Sequence, residues 1–343
     1  NALKFKSGET KVDIAGQLGD KLSLNWLIQS PDLAALSPEL SGDFTSRGEL
    51  RGTREKPHFD GIANSTRLAY NDLTIAGVQI KAKGALSARL DTIAVSANVA
   101  SIQQQKSNLA SNVDLVLVGT GAKHTLNIKS TLFGQSDLSL MAQGGITNTG
   151  WSGRLDSLEL ADPDYDTWTL KQAVAITHDD AKLNTDLMCL TNKRQSACVT
   201  LNTNETTTHA SGSISAVDLN NLNPLLSLYD ATVSGVLNGD FDYQKPHTDG
   251  TATINATLDT TKTLVTFKQI QGEPQRLSIA SVSARLTQQK SLSVDATLQL
   301  DNGDQATLDF NVAAALGETG FSSAPINGKV RANIDDLSAL KAA

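Results

Sequence analysis

Few residues in this chain have side chains suited to covalent chemistry. Cys189 and Cys198 are the only two cysteines among 343 residues. Between them Thr191-Asn192-Lys193-Arg194-Gln195 is polar and turn-like, and the flanking runs Leu183 to Leu190 and Val199 to Leu201 read as strands. A short turn between two strands brings the thiols within reach, since a disulfide needs Cα atoms about 4.4–6.8 Å apart. The expectation is a bridge worth about 2–3 kcal/mol by loop closure, formed in an oxidising compartment such as the periplasm. The competing reading is a pair of free buried thiols in a cytosolic protein. Zinc is not expected, because a structural site needs four donors and no His lies near the pair in sequence.

The five histidines, His58, His124, His178, His209 and His247, are scattered. His58 and His247 each follow a Pro and precede an Asp-Gly turn, and they read as turn-lining residues. Asp179-Asp180 and the acidic stretch Asp301 to Asp304 lack the ligand spacing of a calcium loop. Both read as turns. No phosphate-cradling glycine loop, nucleophile elbow or HExxH appears. The sequons at Asn64, Asn204 and Asn255 are at chance level in so threonine-rich a chain. Neither an enzyme nor a cofactor nor a metal is expected.

The formal charge is −7, and no basic cluster is present. Such a chain repels phosphate backbones, so no nucleic-acid partner is expected. Only 4% of residues are aromatic, against 39% hydrophobic overall. A compact enzyme core usually carries more rings, each of which buries a large area. No run approaches the 18 apolar residues of a membrane-spanning helix. The chain opens on Asn1 without a signal-peptide pattern and stops inside what reads as a new structural unit. It reads as a piece of a longer protein, with any anchor outside it.

The elements that position these residues are strands. Leu292, Val294, Ala296, Leu298 and Leu300 alternate with polar residues, as do Ala306, Leu308, Phe310 and Val312. Both runs predict half-buried strands. A three-residue loop, Asp301-Asn302-Gly303, sets Leu298 opposite Ala306 and Val294 opposite Phe310, with Gly303 left-handed. A two-residue loop would mix the faces. A second hairpin joins Val113, Leu115 and Leu117 to Leu126 and Ile128, with Leu115 expected opposite Leu126. Further alternating runs are Leu22, Leu24, Trp26, Ile28; Leu73, Ile75; Val78, Ile80; Ile93, Val95, Ala97, Val99; Val174, Ile176; Ile254, Ala256, Leu258; and Leu277, Ile279.

Long helical periodicity is missing. Two one- or two-turn helices are predicted, one after Ser30 as N-cap with Pro31 at the first position, the other after Asp218. They begin an internal repeat. Asp32-Leu33, Leu36, Pro38 and Leu40 match Asp218-Leu219, Leu222, Pro224 and Leu226. Gly48-Glu49-Leu50-Arg51-Gly52 matches Gly235-Val236-Leu237-Asn238-Gly239, and Pro57-His58-Phe59-Asp60-Gly61 matches Pro246-His247-Thr248-Asp249-Gly250. The units run approximately over 30–215 and 216–334, with a third starting at 335–343 (Asp336-Leu337, Leu340). Repetition of this kind argues for an elongated array, one continuous segment over 1–343.

Trp151-Ser152-Gly153-Arg154-Leu155, then Trp168-Thr169-Leu170, then Cys189 and Cys198, then Asp218 to Leu226 stand in the order of a family pattern. In these motifs the chain resembles the middle region of the TamB family, within the wider AsmA-like superfamily. The resemblance implies an all-β fold, the elongated β-taco: an open, apolar-lined trough of stacked antiparallel strands, with one or two very short helices. It implies a segment in the periplasm of a Gram-negative bacterium, tied to the inner membrane by an anchor and to TamA by a carboxyl-terminal region, both outside this chain. It also implies a conduit for phospholipid that supports outer-membrane biogenesis. The alternative is a β-strand chaperone that assists autotransporter assembly with TamA. The residues expected to line the lipid groove are Leu115, Leu117, Leu126, Ile128, Val174, Ile176, Ile254, Leu258, Leu277, Ile279, Leu292, Val294, Leu298, Leu300, Leu308, Phe310 and Val312. An ordinary β-sandwich core filled by its own side chains would show the same alternation.

Overall fold

The structure, a computed structural model, describes the chain except residues 1, 36, 38, 86–90, 105–106, 164–165, 181, 224–230, 249–251, 268–274, 290, 302, 315–323 and 334–343. The start of the third repeat, with Asp336, Leu337 and Leu340, therefore lies outside the described residues. So do Leu36, Pro38, Pro224, Leu226, Asp249, Gly250 and Asn302. The chain divides into two compact units, Asn1–Asp180 and Ala181–Ala343.

The first unit contains β1 (Ala2–Ser7), β2 (Thr10–Leu18), β3 (Lys21–Ser30), β4 (Leu40–Gly42), β5 (Phe44–Thr53), β6 (Pro57–Tyr70), β7 (Leu73–Ala85), β8 (Thr92–Gln104), β9 (Ser107–Gly119), β10 (His124–Leu132), β11 (Ser136–Ile146), β12 (Gly150–Asp162), β13 (Asp166–Leu170) and β14 (Val174–Asp179). The second contains β15 (Lys182–Thr185), β16 (Met188–Asn192), β17 (Gln195–Thr203), β18 (Thr207–Asp218), β19 (Ala231–Pro246), β20 (Thr253–Phe267), β21 (Gln275–Gln288), β22 (Leu292–Leu300), β23 (Gln305–Val312) and β24 (Ile326–Asn333). Pairing is antiparallel, mostly between strands adjacent in sequence. The all-β architecture expected from the alternation holds.

Among the described residues two single 3₁₀ turns interrupt the strands, Leu33–Ala35 and Leu219–Leu222. Asp218 caps the second, its Oδ1 accepting the Asn220 N–H at 2.9 Å. The first is capped by Asp32, whose Oδ1 accepts from Ala34 N at 2.9 Å, and not by Ser30. The Ser30 hydroxyl is instead buried in the sheet, 2.7 Å from Thr10 Oγ1, and it donates to the Asp32 carbonyl. Ser30 is still the last residue of β3, so its side chain is committed to the sheet before the turn begins.

The β22–β23 hairpin has the expected register, Leu298 opposite Ala306 and Val294 opposite Phe310. Leu300 N donates to Asp304 O at 2.8 Å, which closes a three-residue loop, and Gly303 has φ +94. The β9–β10 hairpin keeps its apolar residues on one face but slides by two. Leu117 faces Leu126, and Leu115 faces Ile128 instead of Leu126. The ladder stays closed to His124 opposite Gly119, and Thr120 N donates to Lys123 O at 2.7 Å, so the chain reverses later than the glycines suggest.

Each unit carries a crease at which the alternation slips by one residue. In the first it passes through Thr66, Gly77, Ala100 and Asn112, with φ +62 at Gly77 and +52 at Asn112. Ala63, Ile80, Ala97 and Leu115 share the apolar face on one side of it, and Leu68, Ile75 and Ile102 on the other. In the second unit it passes through Ala216, Gly235, Lys262 and Ala280. Irregularities of this kind bend strands and increase their twist. Sheets with one apolar and one polar side, creased along a line, make the β-taco architecture.

Asp43 holds the crease at its edge in the first unit. Its carboxylate accepts from the N–H groups of Thr66 and Arg67, at 3.0 and 3.2 Å, and from the Thr66 hydroxyl. Those bonds, the Thr66 hydroxyl first, hold the Asp43 carboxyl below its ordinary 3.8.

Candidate functional site

The site is a face, built row by row from cross-strand neighbours. In the first unit one row runs Val12, Ile28, Ser46, Ala63, Ile80, Ala97, Leu115, Ile128, Leu140 and Leu158 across β2, β3 and β5 to β12. All of these residues are half-buried, and Ser46 is the single polar member. The adjacent row runs Ile14, Trp26, Gly48, Gly61, Ala82, Val95, Leu117, Leu126, Ala142, Leu155 and Val174. Ile176 pairs with Gly153 one step further along.

In the second unit Met188, Val199, Gly212, Phe241, Ala256, Leu286, Val294, Phe310 and Gly328 form one row. Beside it run Leu190, Ala197, Ile214, Gly239, Leu258, Ala284, Ala296, Leu308 and Val330. Ile254, Leu292 and Val312 lie in a third row, Leu298 in a fourth, and Ile279 faces Leu300 at the crease. The side chain of Leu277 lies outside the described residues. The row on the opposite face is Cys189, Cys198, Ser213, Asp240, Thr257, Arg285, Asp295, Asp309 and Lys329, polar apart from the cystine.

The described groove candidates thus gather on one face within each unit, and most of them are not sealed. Val174, Ile279, Leu292 and Leu300 are buried, while Leu258 is 41% exposed and Phe310 36%. The rest are half-buried. A sandwich core closed by its own side chains would bury these rows, whereas most of their members are half-buried.

Chemistry on this face is sparse. Cys189 and Cys198 sit directly opposite each other in the β16–β17 hairpin, Cα atoms 4.0 Å apart, and form the expected disulfide on the polar side. The run from Leu183 to Leu190 is two short strands, β15 and β16, and not one. His209 meets Asp242 at 2.6 Å on the polar face. His247 sits between the Thr208 hydroxyl and the Glu205 carbonyl, at 3.0 and 3.2 Å, which is a turn-lining position. His58 is exposed at the start of β6, and His178 is exposed in β14. His124 comes onto the apolar face beside Trp151, and His178 stands opposite Trp151 at the end of the same face. Among the described residues no three His, Cys, Asp or Glu side chains converge on a point where a cation could sit.

Sequence reasoning placed Phe310 in the groove and Trp26 in an alternating strand, and missed the seating of rings on glycines. Trp26, Phe59, Trp151 and Phe241 belong to the apolar rows, each lying against a glycine. The signal was present in the Trp-x-Gly spacing of Trp151 and Gly153, and in Gly48 and Gly61 of the repeat.

A family model described as TamB, N-terminal domain, matches residues 1–343. The chain belongs to the TamB family. The match covers every motif that carried the resemblance, under a model of the N-terminal domain where those motifs were compared with the middle region. No curated protein matches the chain, and no solved structure does. Membership of the TamB family ties the chain to the translocation and assembly module and to outer-membrane biogenesis in the Gram-negative envelope, with association to TamA and to a membrane. No helix among the described residues is long and apolar enough to cross a membrane.

Proposed function

We propose that this TamB-family chain is a non-enzymatic segment of a periplasmic conduit, carrying phospholipid acyl chains along its apolar face between the inner and outer membranes. The observation that carries the proposal is the long apolar row, half-exposed from strand to strand, with an opposite face that is largely polar. Each methylene moved out of water contributes about 0.8 kcal/mol, so two acyl chains of ordinary length gain roughly 20 kcal/mol before ordering costs. The headgroup stays in water at the open side. Movement requires neighbouring positions of similar energy, and a repeated row of Leu, Val, Ile and Ala supplies them where one deep pocket would trap the lipid. The inner-membrane anchor and the TamA-binding region belong, in this proposal, to parts of the protein outside this chain.

The test is direct extraction. The chain, secreted to the periplasm and purified without detergent, is extracted and its lipids are identified by mass spectrometry. Phospholipid is expected near stoichiometric amounts, and is expected to fall sharply in Leu117→Asp/Ile128→Asp. An absence of phospholipid, or equal recovery from the variant, would overturn the proposal.

A further inference from the structure

Two of the three tryptophans on the apolar face of the first unit, Trp26 and Trp151, lie flat against glycines, while Trp168 faces Leu160. Trp26 in β3 faces Gly48 in β5, which faces Gly61 in β6. A methyl group at either glycine would overlap the outer edge of the indole. The ring therefore lies across two strands. Its Nε1–H donates to Ser46 Oγ at 3.1 Å, which accounts for the one polar residue in the neighbouring apolar row. Trp151 in β12 repeats the device. Its ring covers Gly153 of its own strand and Gly144 of β11. Its Nε1–H donates to His124 Nε2 at 2.9 Å, while His124 Nδ1 donates to the Thr120 carbonyl at 3.1 Å.

Glycine inside a strand weakens it, and a ring laid over the gap restores packing. That alone explains why a large side chain sits near each glycine. It does not explain why both indoles are also tied by their N–H groups on a face that is otherwise apolar. The ties fix orientation, because a free indole would find its hydrogen bond by turning toward water.

We propose that Trp26 and Trp151 set the clearance of the apolar groove: held flat on glycines, each leaves room for an acyl chain, and tipped upright it fills that room. Ser46 and His124 are positioning residues for the two rings. The inference rests on the lipid reading above and adds to it the residues that govern passage.

Gly61 allows a clean test. At the other glycines under these rings a backbone carbonyl also lies too close to admit a methyl group, whereas at Gly61 the nearest such atom, Arg47 O, is 3.4 Å from it. Gly61→Ala therefore displaces the ring and spares the strand. The purified chain, carrying a diazirine photo-probe at Leu50 or separately at Leu298, is incubated with vesicles of phosphatidylethanolamine and phosphatidylglycerol. In Gly61→Ala the lipid adduct at Leu50 is expected to fall about tenfold, equivalent to about 1.4 kcal/mol of lost occupancy. The adduct at Leu298 is expected to stay unchanged, and Gly61→Ala/Trp26→Leu to recover the Leu50 adduct. Should Gly61→Ala lose its β-sheet circular dichroism, Ser46→Ala carries the test, since it frees the indole N–H without adding volume and is expected to lower the Leu50 adduct. Unchanged Leu50 labelling in a folded variant, with Leu298 labelled, would overturn the inference and leave the lipid reading standing. No lipid adduct at either probe in the unsubstituted chain would overturn both.

Discussion

Trp26 in the first unit needs a glycine on each of two neighbouring strands, whereas Phe241 and Phe310 in the second each lie against one, Gly212 and Gly328. Phe59 in the first unit, against Gly84, follows the same single-glycine rule. The indole of Trp26 reaches past the adjacent strand, that of Trp151 covers its own strand and one neighbour, and each phenyl meets one glycine. The faces opposite differ as well. In the first unit a row on that side includes Leu27, Ile62, Val116 and Met141 among its charged residues. In the second unit the corresponding side carries the cystine and otherwise polar residues. Polarity is divided more sharply where the disulfide is.

The largest effect that would sharpen this comparison is expected at the double-glycine site. Gly48→Ala forces a methyl group against both the Trp26 ring and the Asp60 carbonyl oxygen. A loss of about 3 kcal/mol is expected in urea denaturation. A loss below about 1 kcal/mol would show that the indole is not held flat.

Replacing both Cys189 and Cys198 by Ser follows. The nine-residue separation predicts a loss of about 2.5 kcal/mol, confined to the second unit. Hydrogen exchange should report faster opening of β16 and β17 with the first unit unchanged. Equal loosening of both units would break the distinction.

Asp43→Asn in the first unit is expected to cost roughly 1 kcal/mol, because a partly exposed charged acceptor is screened. Its pH dependence has a definite sign. The folded value is lowered, so the stabilisation is present above the ordinary 3.8 and is lost as pH falls through the folded value. Acid titration of the Asp43→Asn variant should lack that component. The smallest effect is expected on the outer side of the first unit, where Val118 is 43% exposed. Val118→Thr should change stability by less than about 0.5 kcal/mol.

Much of this fold was legible because period-two alternation is strong where one side of a sheet is wetted. The break between Leu73, Ile75 and Val78, Ile80 already marked the crease at Gly77, since the phase of the alternation changes there. Asp301-Asn302-Gly303 was readable because only one loop length kept Leu298 and Phe310 on the same side. The β9–β10 register was not, because Gly119-Thr120-Gly121 looks like the turn while His124 and Gly119 still pair. Asp32 hid behind Ser30, two equally good caps separated by a proline. The apolar face was legible as a list of Leu, Val and Ile. The seating of Trp26 was not, because it depends on Gly48 and Gly61, more than twenty residues away in β5 and β6.

The most direct measurement is photo-crosslinking in cells, with the probe at Leu298 and, separately, at Gln299. Leu298 is half-buried on the apolar face, and Gln299, next to it, is exposed on the polar one. The account predicts phospholipid adducts at Leu298 and none at Gln299. Protein adducts at Gln299 with no lipid at Leu298 would contradict it and favour a strand-pairing chaperone, and silence at both positions would mean that Leu298 belongs to a sealed core.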